Sequence, residues 1–260
     1  MDVAGASVVV TGAGSGIGRA MAKRFAAGGA KVTAADLSEE TAAATAATFG
    51  GVAVQCDVRS ETAIVDLVAR AEEAHGPIDL FCSNAGVAIG GGPDAPDADW
   101  TISWEVHVMA HVYAARAVLP GMLARGHGYL LNTASAAGLL TNLGAAPYTA
   151  TKHAAVGLAE WLAITYGDAG IKVSCLCPQG VNTPMLMAGL DETAGAAVLA
   201  SGEVLEPEDV AEAVIEGLAA ERFMILPHPV VKKYLEGKVG DYDRWIGGMR
   251  RLQARLAPGD

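Results

Sequence analysis

The chain has 260 residues, 52% of them hydrophobic and 18% charged, with a mean hydropathy of +0.31. That much apolar material excludes a disordered chain and supplies one large core. A formal net charge of −11 and a pI near 4.9 exclude the basic footprint that nucleic-acid binding needs.

No Pro/Ser-rich stretch or charge run separates two cores, so a single domain over residues 1–260 is expected. The longest charge-free stretch, 128–151, is broken by Asn132, Thr133, Ser135, Thr141, Asn142 and Pro147, so no integral membrane segment is expected. The start carries no positive region and a glycine-rich motif opens by Gly12, which points to a cytoplasmic protein. The four cysteines lie in or beside apolar strand-like runs without metal-site spacing and read as small buried hydrophobes; no metal is expected.

Apolar, β-branched runs predict strands at 7–11, 31–35, 51–56, 78–83, 129–133, 171–177 and 223–226. Helical patterns fall between and after them, at 17–27, 39–48, 61–75, 99–124, 148–166 and 208–220, with start signals at Ser38, Ser60 and Pro207. This alternation predicts a doubly wound α/β fold with a seven-stranded parallel sheet and helices on both faces. Residues 229–260 carry 7 of the 18 basic and 4 of the 29 acidic residues, making the tail +3 and the remainder −14. Trp245, Met249, Leu252 and Leu256 share one helical face there, the pattern of a helix docked on its own subunit or a neighbour, with a membrane surface as the rival.

After the first strand comes Thr11-Gly12-Ala13-Gly14-Ser15-Gly16-Ile17-Gly18. Glycines let the chain turn sharply and let backbone approach a pyrophosphate, which the following helix N-terminus favours. Asp36 ends the second strand, where a carboxylate accepts ribose hydroxyls and repels a 2′-phosphate, which favours NAD over NADP. Ser15, in place of a loop cation, agrees with that choice.

The spacing Gly-x-x-x-Gly-x-Gly, together with Asp57-Val58 and Asn84-Ala85-Gly86, resembles the single-domain short-chain dehydrogenase/reductase family. The resemblance implies a Rossmann-type fold, Asp57 and Val58 at the adenine, and Asn84, Ala85 and Gly86 along the cofactor's ribose side. Tyr148 and Lys152 stand four residues apart on one helical face, a spacing in which an ammonium favours phenolate. Ser135 follows the fifth strand at the carboxyl edge, where open α/β sheets bind ligands. The resemblance makes Tyr148 the acid/base, Ser135 the group that orients the substrate oxygen and Lys152 the modulator that also holds ribose. It places Pro178, Val181 and Thr183 at the nicotinamide.

Two positions depart from the family pattern. His107 stands where an Asn whose backbone holds a water beside the lysine is usual, and is counted with the catalytic set; Gln179 stands in a common glycine position. The expected pocket lining is largely apolar: Val87, Ala88, Ile89, Leu139, Leu140, Leu143, Met185, Leu186, Met187 and Leu190. Residues 185–205 read as a substrate lid, and 229–260 as a helical extension in which Tyr234, Tyr242 and Trp245 close the pocket or meet a second subunit. The expected protein is an NAD-dependent oxidoreductase acting on an apolar secondary alcohol or ketone, as a homodimer or homotetramer. An NADP-linked biosynthetic reductase and a non-catalytic NAD(H)-binding sensor are the alternatives.

Overall fold

A computed structural model describes residues 1–188, 193–200 and 202–256. Leu190, part of the expected lid and the last four residues of the expected extension lie outside them. Seven parallel strands form one sheet: β1 (Ser7–Thr11), β2 (Lys31–Asp36), β3 (Val52–Gln55), β4 (Leu80–Ser83), β5 (Gly128–Thr133), β6 (Ile171–Leu176) and β7 (Met224–Ile225). Their spatial order is β3-β2-β1-β4-β5-β6-β7, so the order reverses between β1 and β4 and opens a crevice at the carboxyl ends there.

Successive strand residues face opposite sides of the sheet, and both sides are dry. Val9, Phe81 and Leu130 enter one core with Leu67 of α3 (Glu61–His75) and Ala155 and Leu162 of α6 (Ala146–Tyr166). Val8, Val10, Leu80 and Leu131 enter the other with Met21 and Phe25 of α1 (Gly16–Ala27) and Val214 and Leu218 of α9 (Pro207–Ala219). The alternation explains why Val8, Val9 and Val10 are all fully buried. All four cysteines are buried and unpaired.

Helix α2 (Glu39–Ala47) and α3 start where Ser38 and Ser60 accept the N–H groups of Thr41 and Ala63. The helix predicted over 99–124 is three pieces: α4 (Asp97–Trp104), a π-helical turn (Glu105–Met109) and α5 (Ala110–Arg125). A π turn admits one extra residue per turn and leaves no simple trace in hydrophobic periodicity. The final strand keeps two residues of the predicted four. Between β6 and α9, α7 (Pro184–Ala188) and α8 (Thr193–Ala200) fall in the predicted lid, and after β7, α10 (Val230–Gly240) and α11 (Tyr242–Leu256) form the extension.

The turn after β5 packs backbone against backbone on α6. A Cβ at Gly138 would stand 2.4 Å from the Lys152 carbonyl oxygen and 2.8 Å from its carbon. Gly138→Ala is therefore expected to lower unfolding stability by about 1–3 kcal/mol through overpacking, read by denaturant titration.

Candidate active site

The cavity is built at the carboxyl edge of the sheet. Gly12 and Gly16 take positive φ, and a Cβ at Gly12 would come within 2.8 Å of the Ala85 Cα. A Cβ at Gly18 would stand 2.1 Å from the Gly12 carbonyl oxygen, so this helix and strand meet only without it. Ser15 makes no side-chain cap bond, and the first turn of α1 holds no acidic residue, which leaves backbone N–H groups and a positive helix end facing the cavity. These residues fit a pyrophosphate.

Thr11 ties β1 to β4: its Oγ1 accepts from the Asn84 N–H at 2.9 Å and the Ala85 N–H at 3.2 Å, and the Asn84 amide donates to its carbonyl at 3.0 Å. The Asp36 carboxylate accepts the Gly14 N–H at 2.8 Å and the Ser38 N–H at 3.1 Å, holding it at the cavity rim beside the glycine loop. A Cβ at Gly14 would collide with that carboxylate. Asp57 is paired with Arg59 at 2.7 Å, and the guanidinium holds its carboxyl below the usual range. Asp57, Val58, Asn84, Ala85 and Gly86 all border the cavity.

Ser135 begins a tight turn after β5, where its hydroxyl accepts the Ala137 N–H at 3.1 Å. Pro147 opens α6 and sets Tyr148 and Lys152 one turn apart on its cavity face. Lys152 is buried, donates to the Thr133 carbonyl at 3.0 Å, and carries its Nζ 5.6 Å from the Tyr148 ring centre. Burial pushes its ammonium down to about 8. Burial also raises the Tyr148 phenol above its ordinary value, opposed by a hydrogen bond with Ser135.

The π turn delivers His107 beneath the tyrosine. The imidazole meets the Tyr148 ring edge-on at 5.3 Å and is fully buried. Its Nε2 accepts the Val87 N–H at 3.1 Å, so Nδ1 carries the proton and donates to the Thr151 hydroxyl at 2.9 Å; that hydroxyl donates to the Pro147 carbonyl at 2.8 Å. Burial and Lys152 hold the imidazole neutral.

Pro178, Gln179, Val181 and Thr183 follow β6 along the cavity wall. His228 fixes this loop: its Nδ1 accepts the Gln179 N–H at 3.2 Å while its Nε2 bonds the Gly180 carbonyl at 3.0 Å. The whole space is one cavity of about 1500 Å³, beyond the usual range for a single small ligand. Val87, Ala88, Ile89, Leu140, Leu143, Met185 and Leu186 line it as expected, while Leu139 and Met187 do not border it. The C-terminal helices close its far side with Tyr234, Trp245, Met249 and Leu252. Lys238 clamps them there, donating to the Leu139 carbonyl at 2.7 Å and the Leu140 carbonyl at 3.1 Å, with its ammonium 5.0 Å from the Trp245 ring centre.

The family profile described as short chain dehydrogenase matches residues 6–194. The chain belongs to the short-chain dehydrogenase family. It is 35% identical over 224 residues to the 2,5-dichloro-2,5-cyclohexadiene-1,4-diol dehydrogenase of Sphingobium indicum strain UT26, covering 82% of this chain and 90% of that one. It is 36% identical over 252 residues to the 1-deoxy-11-beta-hydroxypentalenate dehydrogenase of Streptomyces exfoliatus, covering 92% and 89%. A crystal structure of a short-chain dehydrogenase/reductase from Burkholderia phymatum in complex with NAD superposes with a TM-score of 0.85 at 32% identity, covering 94% of this chain and 96% of that one.

Within this short-chain dehydrogenase, every expected site residue except His107, which lies buried behind Tyr148, borders the one cavity. Sequence reasoning missed Thr11, Thr151, His228 and Lys238, whose work is done through hydrogen bonds between distant segments, and a group of cavity-facing cations on the C-terminal helices. Among the described residues there is no group of side chains arranged to hold a metal.

His107 and His111 are both buried and both pushed down by burial, His111 to about 3. Each takes up a proton near pH 6.5 only after unfolding, so stability is full above that pH and lost below it, at up to about 1.4 kcal/mol per pH unit for each group. Denaturant titrations between pH 8 and pH 5 are expected to show the fall, and His107→Asn is expected to reduce the slope.

Proposed function

We propose that this short-chain dehydrogenase is an NAD-dependent oxidoreductase acting on a secondary alcohol or ketone with an apolar body, with Tyr148 as the general acid/base. One observation carries the reading: Ser135, Tyr148 and Lys152 meet at the end of β5 in the same cavity whose other end is formed by the glycine loop and Asp36. The dehydrogenases named among its relatives and the NAD complex of its structural neighbour support it.

Gly12, Ser15, Gly16, Ile17 and Gly18 hold the pyrophosphate, and Asp36 takes the adenosine ribose and excludes a 2′-phosphate. Asp57 and Val58 border the adenine, Asn84, Ala85 and Gly86 the ribose side, and Pro178, Val181 and Thr183 the nicotinamide. Bound NAD supplies the hydride acceptor and a positive charge. Ser135 orients the carbinol oxygen, and Tyr148 Oη takes its proton as the C–H bond breaks, or returns it in reduction. Lys152, anchored on the Thr133 carbonyl, favours the phenolate and reaches toward ribose. His107 serves as a positioning group, since both of its nitrogens are engaged and its ring braces Tyr148.

The segment 185–205 is proposed as the lid over the apolar lining. A cytoplasmic homodimer or homotetramer completes the reading; Trp104, Trp161 and Ile164 leave apolar surface on α4 and α6 for a second copy. The test is NADH formation from a panel of cyclic and open-chain secondary alcohols. Turnover with NAD⁺ well above that with NADP⁺, falling at least about 100-fold in Tyr148→Phe while NADH still binds, is the expected result. Turnover that survives Tyr148→Phe would remove the proton-transfer role.

A further inference from the structure

We infer that the substrate carries an anionic group, received by a cationic stripe on the C-terminal helix while the carbinol lies at Tyr148; this rests on the oxidoreductase reading above. Arg244, Gly248, Arg251 and Arg255 of α11 all border the cavity. Their spacing of four, three and four residues keeps them within about 60° of arc and spreads the arginines over about 16 Å of helix axis. The neighbouring α10 turns Lys233, Gly237 and Gly240 to the same space. A Cβ at Gly237 or Gly240 would meet nothing within 4 Å, so these glycines leave room rather than fill a packed contact.

Of the other cations, Arg24, Arg59, Arg116 and Lys172 each stand within 3.1 Å of a carboxylate, Arg59 on the wall of this same cavity. Lys233, Arg244, Arg251 and Arg255 have no ion-pair partner among the described residues. Among the described residues from α10 to α11 on the cavity wall, the acid is Asp241, which accepts the Arg244 backbone N–H at 3.0 Å at the start of α11. In a chain of net charge −11, four exposed cations gathered around one cavity focus anions into it. Trp245, Met249 and Leu252 border the same cavity, so the basic amphipathic helix sets apolar side chains beside its arginines there. The Lys238 clamp holds this helix against the segment after Ser135. The substrate is thus an apolar alcohol or ketone ending in a carboxylate or phosphate.

The test uses the NAD⁺ holoenzyme with (ω−1)-hydroxydodecanoate, its methyl ester and its coenzyme A thioester. The acid or the thioester is expected to exceed the ester in kcat/KM by about 10-fold or more, mainly through KM. Preference for the free acid identifies a carboxylate, and preference for the thioester identifies phosphates. The advantage is expected to collapse to within about 2-fold in R251Q/R255Q, to return in R251K/R255K, and to shrink between about 0.02 and about 0.5 M salt. An ester used as well as both anionic forms, or an advantage unchanged in R251Q/R255Q, overturns the inference.

Calorimetric binding of dodecanoate and of dodecanol to the NADH complex separates the two claims. Tight, arginine-dependent binding of the acid without turnover of any alcohol leaves the anion site standing and overturns hydride transfer. Equal binding of the acid and the alcohol overturns the anion site whatever the turnover.

Discussion

An ammonium group buried beside the end of β5 is the constraint on which the site depends. Leaving such a charge unpaired in the interior costs several kcal/mol, so Lys152 is tolerable only where fixed dipoles meet it. The Thr133 carbonyl at the end of β5 is that dipole, and reaching it fixes the depth and rotation of α6. Once α6 is fixed, Tyr148 is set one turn earlier on the cavity wall, and Ser135 sits across from it on the turn that the missing Cβ of Gly138 lets pack against α6. The π turn then fills the space behind the tyrosine with a neutral imidazole instead of a second charge. Placing another cation there would compound the cost already borne by Lys152.

Much of this was legible in the chain because it is written in local pattern. All seven strands coincide with their apolar runs to within two residues at either end, since a sheet covered on both faces demands unbroken β-branched stretches such as Val8-Val9-Val10. The glycine loop, Asp36 and the Tyr148–Lys152 spacing are likewise local and led directly to one cavity. What stayed hidden depends on contacts between segments far apart. Nothing around Thr11 announces that it holds Asn84 and Ala85, and nothing around His228 announces that it braces Gln179 and Gly180. The π turn was invisible because one inserted residue shifts a helical face without changing its composition.

The C-terminal region lies between these cases. Its charge excess and the apolar face of Trp245, Met249, Leu252 and Leu256 were apparent in sequence, but which way the helix turned was not. Lys238 settles that by anchoring α10 and α11 to the backbone at Leu139 and Leu140, next to the turn that carries Ser135. The cavity therefore has an acidic rim at Asp36 and a cationic wall at α11, with apolar side chains between. In the proposed reading, the hydroxyl-rich ribose lies at the carboxylate and the substrate's negative charge at the arginines.

The account stands or falls on the electrostatics at Tyr148. Carbon-13 NMR of ζ-labelled tyrosine, with Tyr148→Phe used to assign one resonance among the 6 tyrosines, measures that phenol directly. With NAD⁺ bound, it is expected to titrate more than one pH unit below the free tyrosine value of about 10, and Lys152→Met is expected to return it toward that value. A phenol that titrates at or above the free value in the NAD⁺ complex, or that is indifferent to Lys152→Met, would contradict the assignment of Tyr148 as the acid/base and of Lys152 as the group that sets it.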